Sequence, residues 1–265
     1  MRTGFLGRRL SKEGASTKKA AEWYAKLFDD YLDAADGQIG PEGIERLCTA
    51  LGVNPADVLV LVLAWLLGAS QMGYFSREEW SAGQPILGNA TSTDALLDTL
   101  KAVYAATRRN VDELRRLHKF THSFCREDRK KNVDASTAIP MLQLLHGTAF
   151  PDHVPKMCTF LEVCTPRGRE SHSLGASAIF SAGRPSAHTD GARTLTRLRP
   201  YACLLSQTHD TVGKRGVSMD EWSMMLNFFI EIEPDCSNYQ DDGAWPLLLD
   251  DYVEWRREED GKADE

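Results

Sequence analysis

The sequence predicts an all-α fold of helix–loop–helix units, interrupted by one long irregular segment. Apolar residues recur at the 3.6-residue spacing of a helix along most of the chain, and no convincing stretch alternates apolar and polar residues as a strand would. Capping residues precede several of these stretches, and glycines follow them. The 265 residues, 42% hydrophobic and 26% charged, have an ordinary globular composition and suit one or two domains.

The first predicted helices lie in the N-terminal third of the chain. The segment STKKAAEWYAKLFDDYL repeats apolar residues at i, i+3, i+4 and i+7. GPEGIERLCTALG is a short helix closed by Gly52. NPADVLVLVLAWLLGAS has Asn54 as its predicted N-cap and Pro55 in its first turn, and it is apolar on all sides, which predicts a central core helix. Ser76 in SREEW is the predicted cap of the next helix.

Later helices are predicted over 93–107, 110–126, 134–146, 153–162, 218–232 and 244–258. Ser218 and Glu221 have the S-x-x-E spacing of a capping box, which predicts a helix start there. In the last range one face repeats apolar residues and is predicted to be core, whereas the carboxylates lie on other faces. The apolar face comprises Trp245, Leu248, Leu249, Tyr252 and Trp255.

Residues 163–206 break the helical pattern. They are rich in Gly, Ser, Ala and Arg, contain no Lys and have no sustained apolar period, which is unusual for a loop inside a compact domain. We interpret them as an insertion, either a disordered loop or a retained intron translated in frame. The codon of Val163 can begin with the GT of a donor splice site, and YACLLSQ can be encoded by a pyrimidine-rich stretch that ends in the CAG of an acceptor site. Transcript reads that cover this junction and show no shorter form would contradict the retained intron.

Charge and cysteine content exclude several classes of partner. The net charge of −7 argues against nucleic-acid binding, and no apolar run reaches the roughly 18–20 residues of a membrane span. The six cysteines are scattered without metal-type spacing, which fits a reducing compartment. Residues 218–265 carry 15 acidic and 3 basic side chains, a net of −12. This acidic end suggests a basic partner, with a simple solvated surface as the alternative.

Metal and catalytic motifs are weak. DYLDAADGQIGPEGIERL resembles an EF-hand, but with Gly37 at the sixth place the ligand positions hold Leu32, Ala34, Asp36 and Gly43, so no calcium is expected. His118 and His122 are four residues apart near Cys125 but lack the Glu of a zinc-protease motif, and we interpret them as a polar helix face. The chain has no nucleotide-binding loop and no hydrolase elbow, so neither a cofactor nor a catalytic residue is predicted.

A family resemblance rests on the C-terminal block SMDEWSMMLNFFIEIEPDCSNYQDDGAWPLLLDDYVEW. This block resembles the potentiating-neddylation (PONY) domain of the defective-in-cullin-neddylation family, as do GQIGPEGIERLCTALGVNPADVLVLVLAWLL, GYFSREEW, HKFTHSF and VDASTAIPMLQLL. The likeness covers residues 20–162 and 207–258. The predicted order is a disordered basic tail (1–17), an N-terminal EF-hand-like lobe (18–162), the insertion (163–206), a cullin-binding lobe (207–258) and an acidic tail (259–265). The basic tail slightly resembles a transit peptide.

The resemblance implies a scaffold-type co-ligase of the cytoplasm and nucleus, without a nucleophile of its own. Such proteins promote transfer of a ubiquitin-like modifier to a cullin lysine. The acid–Ala–acid patch that holds the cullin C-terminal winged-helix region corresponds here to Asp220, Ala244 and Asp250. Two carboxylates can pair with a basic surface, and the small Ala allows close approach.

The resemblance also implies an apolar pocket for the acetylated N-terminus of the neddylation-conjugating enzyme, whose uncharged amine enters without the desolvation cost of an ammonium. From residue pattern alone the same positions would be plain core. Met72, with Gln71 adjacent, replaces a common Gln, and Met141 replaces a common aromatic residue. The matching positions are Ile44, Pro55, Val60, Leu61, Ala64, Met72, Phe75, Phe124, Met141 and Leu144.

Three other functions remain open from the residues. The first is a metal-free EF-hand-like adaptor for a different basic partner, which a pull-down with cullin fragments would separate from the co-ligase. The second is a calcium sensor, which micromolar calcium binding would revive. An enzyme ranks last, because no convergent polar site is evident in the sequence.

Overall fold

The computed structural model describes residues 4–127, 129–164, 216–241 and 243–263. These residues form ten α-helices joined by turns and three isolated β-bridges, which confirms the predicted all-α class. The helices are α1 (Gly4–Tyr31), α2 (Pro41–Leu51), α3 (Val58–Leu67), α4 (Arg77–Leu87), α5 (Thr93–Thr107), α6 (Val111–Cys125), α7 (Ala135–His146), α8 (Val154–Cys164), α9 (Met219–Glu231) and α10 (Leu247–Ala263).

The start of α3 differs from the prediction. The Asp57 carboxylate, not Asn54, caps the helix by accepting the N–H of Leu59 at 2.8 Å. Asn54 instead accepts the N–H of Ala56 at 2.8 Å and closes the preceding turn. Both side chains can accept such a bond, and the one next to the apolar run begins the helix.

Helices extend into both ranges that the sequence predicts as tails, 1–17 and 259–265. Helix α1 begins at Gly4, and no Pro interrupts it before Thr17. Helix α10 continues to Ala263, and Arg256 forms an i,i+4 ion pair with Asp260 along this extension. The first two residues of the predicted insertion end α8, and its residues 165–206 lie outside the described part of the chain.

Helices α1 to α5 belong to the first of two compact units, which extends to Leu117. Helix α3 is its central element and packs against α4 and α5, while α1 packs against α2 and α4. Ile39 and Phe75 exchange two backbone hydrogen bonds of 3.0 Å and so join two loops. At Gly43 a Cβ atom would lie 2.3 Å from the Tyr31 carbonyl oxygen, so the close approach of α2 to the end of α1 requires glycine.

The second unit begins at His118, inside α6, whereas the sequence placed the boundary between lobes at residues 163–206. Within this unit α7 packs against α8, and α10 packs against both α8 and α9. Val133 and Val217 exchange backbone hydrogen bonds of 2.9 and 2.7 Å. Its fully buried aromatic side chains include Phe160, Trp222 and Tyr252.

The apolar character of α3 does not make it a membrane span. It is 10 residues long, and no helix in the described ranges has both the length and the hydropathy needed to cross a bilayer. Six of its side chains are buried in the first unit, as predicted for a core helix.

Candidate functional site

The N-terminus of α9 presents the first predicted cullin-contacting residue. The Ser218 hydroxyl accepts the Glu221 N–H at 3.2 Å, and the Glu221 carboxylate accepts the Ser218 N–H at 2.8 Å, which confirms the predicted capping box. Asp220 lies in the first turn between these residues and is exposed. A carboxylate is favoured there by the positive end of the helix dipole.

The start of α10 presents the other two predicted cullin-contacting residues, Ala244 and Asp250. Ala244 is exposed and lies just before the helix, and Asp250 is half-buried in its first turn. The Tyr239 hydroxyl donates a hydrogen bond to Asp250 Oδ1, which fixes the direction of this carboxylate. Because α9 and α10 pack against each other within one unit, Asp220 and Asp250 begin two neighbouring helices.

The buried face of α10 holds the site in place. Leu248, Leu249 and Tyr252 are fully buried and Trp255 is 8% exposed, as predicted. Trp245 differs from the prediction, because the helix begins at Leu247 and this ring lies before it, half-buried. It packs edge-on against the Phe228 ring of α9, with the ring centroids 5.6 Å apart.

The sequence missed an exposed apolar side chain at the same place. Leu247 is 63% exposed and lies three residues before Asp250, on the same side of the helix. The helical phase could have identified it: in the run PLLLDD the core face requires only Leu248 and Leu249. Leu247, the first leucine of the run, is therefore left outside the core, near Asp250.

An apolar cavity lies within the first unit, between α2, α3 and α5. Only three of the predicted pocket residues line it, namely Ile44, Val60 and Phe75. The remaining lining is Leu47, Cys48, Leu51, Val53, Leu59, Leu63, Leu97 and Leu100. Burial raises the pKa of Cys48 to about 11, so this thiol stays protonated at neutral pH.

The other predicted pocket residues are distributed over both units. Leu61 and Ala64 are buried in α3, and Pro55 and Met72 are half-buried in the same unit. The second unit contains Phe124, Met141 and Leu144, of which Met141 is buried and the other two are half-buried.

Histidines 118 and 122 do not form a polar helix face. Both are 1% exposed, and His146 and His153 of the same unit are also buried. The His118 ring stacks on Trp222 with centroids 4.6 Å apart and an angle of 10°. The described residues contain no group of three or more His, Cys, Asp and Glu side chains arranged to hold a metal ion.

Hydrogen bonds define the protonation of two of these rings. His118 Nε2 lies 2.6 Å from the Trp222 carbonyl oxygen, and His122 Nε2 lies 3.0 Å from that of Val217. A carbonyl oxygen only accepts, so both Nε2 atoms carry a proton. His118 Nδ1 then accepts a hydrogen bond from His146 Nε2–H at 2.9 Å and carries no proton, so the His118 ring is neutral.

Acid is therefore expected to destabilise the folded protein. Burial lowers the pKa of His118, His122 and His153 below the ordinary value near 6.5. The unfolded chain then binds more protons than the native one between those values, so stability is fully present above about pH 6.5 and falls as the pH drops toward the lowered pKa. Each histidine contributes up to about 1.4 kcal/mol per pH unit in this window.

Urea denaturation at pH 7.5, 6.5 and 5.5 measures this loss. Carboxylates titrate mainly below about pH 4.5, so they contribute little over this range. A free energy of unfolding that stays constant from pH 7.5 to 5.5 would contradict the neutral buried histidines.

The sequence of this chain is similar to a cullin-binding family and to several known proteins. A family model described as Cullin binding matches residues 182–255, a stretch that begins inside the segment 163–206 and contains Asp220, Ala244 and Asp250. The chain is 31% identical to DCN1-like protein 4 of Danio rerio over 246 residues, which cover 93% of this chain and 68% of that relative. It is 30% identical to DCN1-like protein 4 of Homo sapiens, covering 94% and 66% of the two chains. DCN1-like protein 5 of Homo sapiens is 28% identical, with 93% and 80% covered.

Proposed function

This chain belongs to the DCN1-like, defective-in-cullin-neddylation family, and we propose that it binds a cullin and promotes cullin neddylation. The observation that carries the proposal is the pair of carboxylates, Asp220 and Asp250, at the starts of two packed helices inside the stretch that matches the cullin-binding model. The proposed partner surface is the C-terminal winged-helix region of the cullin. It would be basic, with room for Ala244 to approach closely.

The acidic charge, the fixed Asp250 carboxylate and an exposed leucine beside it support this contact. The acidic C-terminal segment 218–265, with its net of −12, would attract a basic partner and orient it during the encounter. Asp250 is held by Tyr239, so little side-chain freedom is lost when it binds. Leu247 offers apolar area next to the carboxylate.

The second proposed contact is the acetylated N-terminus of the neddylation-conjugating enzyme. The apolar lining of the cavity in the first unit supports it, because an uncharged acetylated N-terminus can pack against such side chains without losing the hydration of an ammonium. Met72 and Met141 are flexible side chains that can adapt to irregular shapes, so both change the fit of the predicted pocket. Met72 also makes it less polar, because a thioether replaces the hydrogen-bonding amide of a Gln.

The proposed mechanism is proximity. Binding the cullin and the charged conjugating enzyme together would restrict how the thioester faces the cullin lysine, which converts a bimolecular transfer into an effectively intramolecular one. The conjugating enzyme supplies the thioester, and this chain supplies the two binding surfaces.

Calorimetric titration of the full chain with a cullin C-terminal fragment tests the first contact. We expect saturable binding that weakens as salt is raised, because the contact is charged. A reconstituted neddylation assay tests the second: the chain should accelerate transfer from an acetylated conjugating enzyme more than from one with a free N-terminus. A folded chain with no heat of binding to any cullin fragment would refute the proposal and favour an adaptor for another basic protein.

A further inference from the structure

Two buried histidines of α6 hold the turn that carries Asp220. His122 donates to the carbonyl of Val217, three residues before Asp220, and His118 donates to the carbonyl of Trp222, two residues after it. The contact with Trp222 is reciprocal, since its indole N–H donates to the His118 carbonyl oxygen at 2.7 Å. The backbone around Asp220 is thus fixed from both sides.

We propose that His118 and His122, the histidine clamp, are positioning residues for the Asp220 carboxylate. They hold the first turn of α9 in the orientation in which this carboxylate meets a basic side chain of the partner. The inference rests on the proposed cullin contact and deepens it, because it assigns part of the affinity to two residues that cannot touch the partner.

The clamp bonds are not needed to satisfy the backbone. The Val217 carbonyl already accepts the Val133 N–H at 2.9 Å, and the Trp222 carbonyl lies inside α9, where the helix supplies a donor. A second donor at each carbonyl therefore adds little to polar satisfaction and instead determines where the turn lies. Exposed helix starts without such bonds adjust more freely to solvent.

The approach to the turn is equally constrained. Gly216 has a φ of +67°, and a Cβ atom there would lie 2.6 Å from the Val133 carbonyl oxygen. Close backbone contact with Val133 thus fixes the chain at Gly216, and the hydrogen bonds from His122 and His118 fix it again at Val217 and Trp222. Preorganising Asp220 in this way lowers the entropy lost on binding, which raises affinity without adding a contact.

Histidine suits this role better than an aliphatic residue would. Its ring packs like a small aromatic side chain, as the stack of His118 on Trp222 illustrates, and its Nε2–H points along the ring plane to the carbonyl. An aliphatic side chain of similar size would fill the space and lose the donor. Glutamine retains a donor at nearly the same distance from the backbone, whereas the amide of asparagine stops short.

A double-mutant cycle between His122 and Asp220 tests the inference by calorimetric titration with the cullin C-terminal fragment. We expect His122→Leu to weaken binding about five- to tenfold, and to have no further effect in an Asp220→Ala background. His122→Gln should restore binding to within about twofold of the wild type, since it keeps the donor. If His122→Leu does not fold, His122→Asn replaces it as the variant without a reaching donor.

His153→Leu is the matched control. His153 is also buried in this unit, but its ring packs against Phe228 and Phe229, near the other end of α9. Its loss should lower the melting temperature and leave cullin affinity within twofold.

Three results would overturn the positioning role. They are additive effects of His122 and Asp220, equal losses for the Leu and Gln variants, or an equal loss for the His153 control. If the wild-type chain itself does not bind the cullin fragment, the proposed function fails and the inference falls with it. If the wild type binds, Asp220→Ala weakens binding and the cycle is additive, the positioning role of the clamp is rejected and the proposed cullin contact stands.

Discussion

Replacing Asp220 and Asp250 together by arginine is expected to abolish cullin binding, with a loss of affinity of at least a hundredfold. Each reversal turns an attraction into a repulsion against a basic partner, and like charges across an interface cost several kcal/mol. Two such changes exceed the roughly 2.7 kcal/mol that corresponds to a hundredfold change. The single reversals should each fall between the wild type and the double variant.

The loss must be separated from unfolding. Asp220 is exposed, so its reversal should lower the free energy of unfolding only by about 1–2 kcal/mol, the effect of reversing a charge at a helix N-terminus. Asp250 accepts the Tyr239 hydroxyl, and Asp250→Asn keeps an oxygen for this bond while removing the charge. This variant should retain the fold and still bind more weakly than the wild type.

Two exposed acidic residues away from the patch supply the charge control. Glu231→Arg at the end of α9 with Glu258→Arg, eight residues beyond Asp250 on α10, changes the net charge by the same amount. Long-range attraction is screened beyond about 8 Å at physiological salt, so this control should lose less than about fivefold in affinity. Calorimetric affinities that match the wild type in the double Asp variant, or equal losses in the control, would reject the patch.

Local signals in the sequence were sufficient for the helices that carry the candidate site, whereas Asp220, Ala244 and Asp250 were assigned from the family resemblance. The cap at Ser76, the capping box at Ser218 and the burial of Leu248, Leu249, Tyr252 and Trp255 are confirmed, because each depends on residues within one or two helical turns. Local signals do not specify a helix start where two capping residues compete, as Asn54 and Asp57 do before α3.

The burial of the two clamp histidines follows from their positions along α6, not from their residue type. Leu114, Leu117, His118, Thr121, His122 and Cys125 recur at i, i+3, i+4, i+7, i+8 and i+11 along α6, and all six are buried. The polar character of histidine led to the prediction of a polar face, although the period placed both rings with the core residues. The period could therefore have predicted their burial, but not the carbonyl groups they meet about 100 residues later.

The cavity of the first unit could not be derived from the sequence in full. Its walls combine α2 and α3 with Leu97 and Leu100 of α5, which lie about 40 residues further along the chain. Helical periodicity predicts that these leucines are buried, but it does not specify which helix they face. Packing between elements distant in sequence decides that choice.

Trp222→Ala is expected to destabilise the protein by about 3–5 kcal/mol, the usual cost of removing a large aromatic side chain from a core. Trp222 is 1% exposed, stacks on His118 and lies 6.0 Å from the His122 ring, measured between centroids. Urea denaturation followed by circular dichroism measures the change. Trp65→Ala is the control, since this ring is only half-buried and should cost less. A loss below about 1 kcal/mol for Trp222→Ala would contradict its place at the centre of the second unit.

The same variant should also weaken the response of stability to acid. Removing the indole opens space beside His118, and entry of water there would let the pKa of this histidine rise toward its ordinary value. The difference in pKa between the folded and unfolded chains then shrinks, so less stability is lost as the pH falls below about 6.5. Trp222→Phe, which keeps a ring in place, should retain more of the wild-type slope between pH 7.5 and 5.5. An unchanged slope in Trp222→Ala would mean that the burial of His118 does not depend on the tryptophan, and that the clamp and the stacked ring act independently.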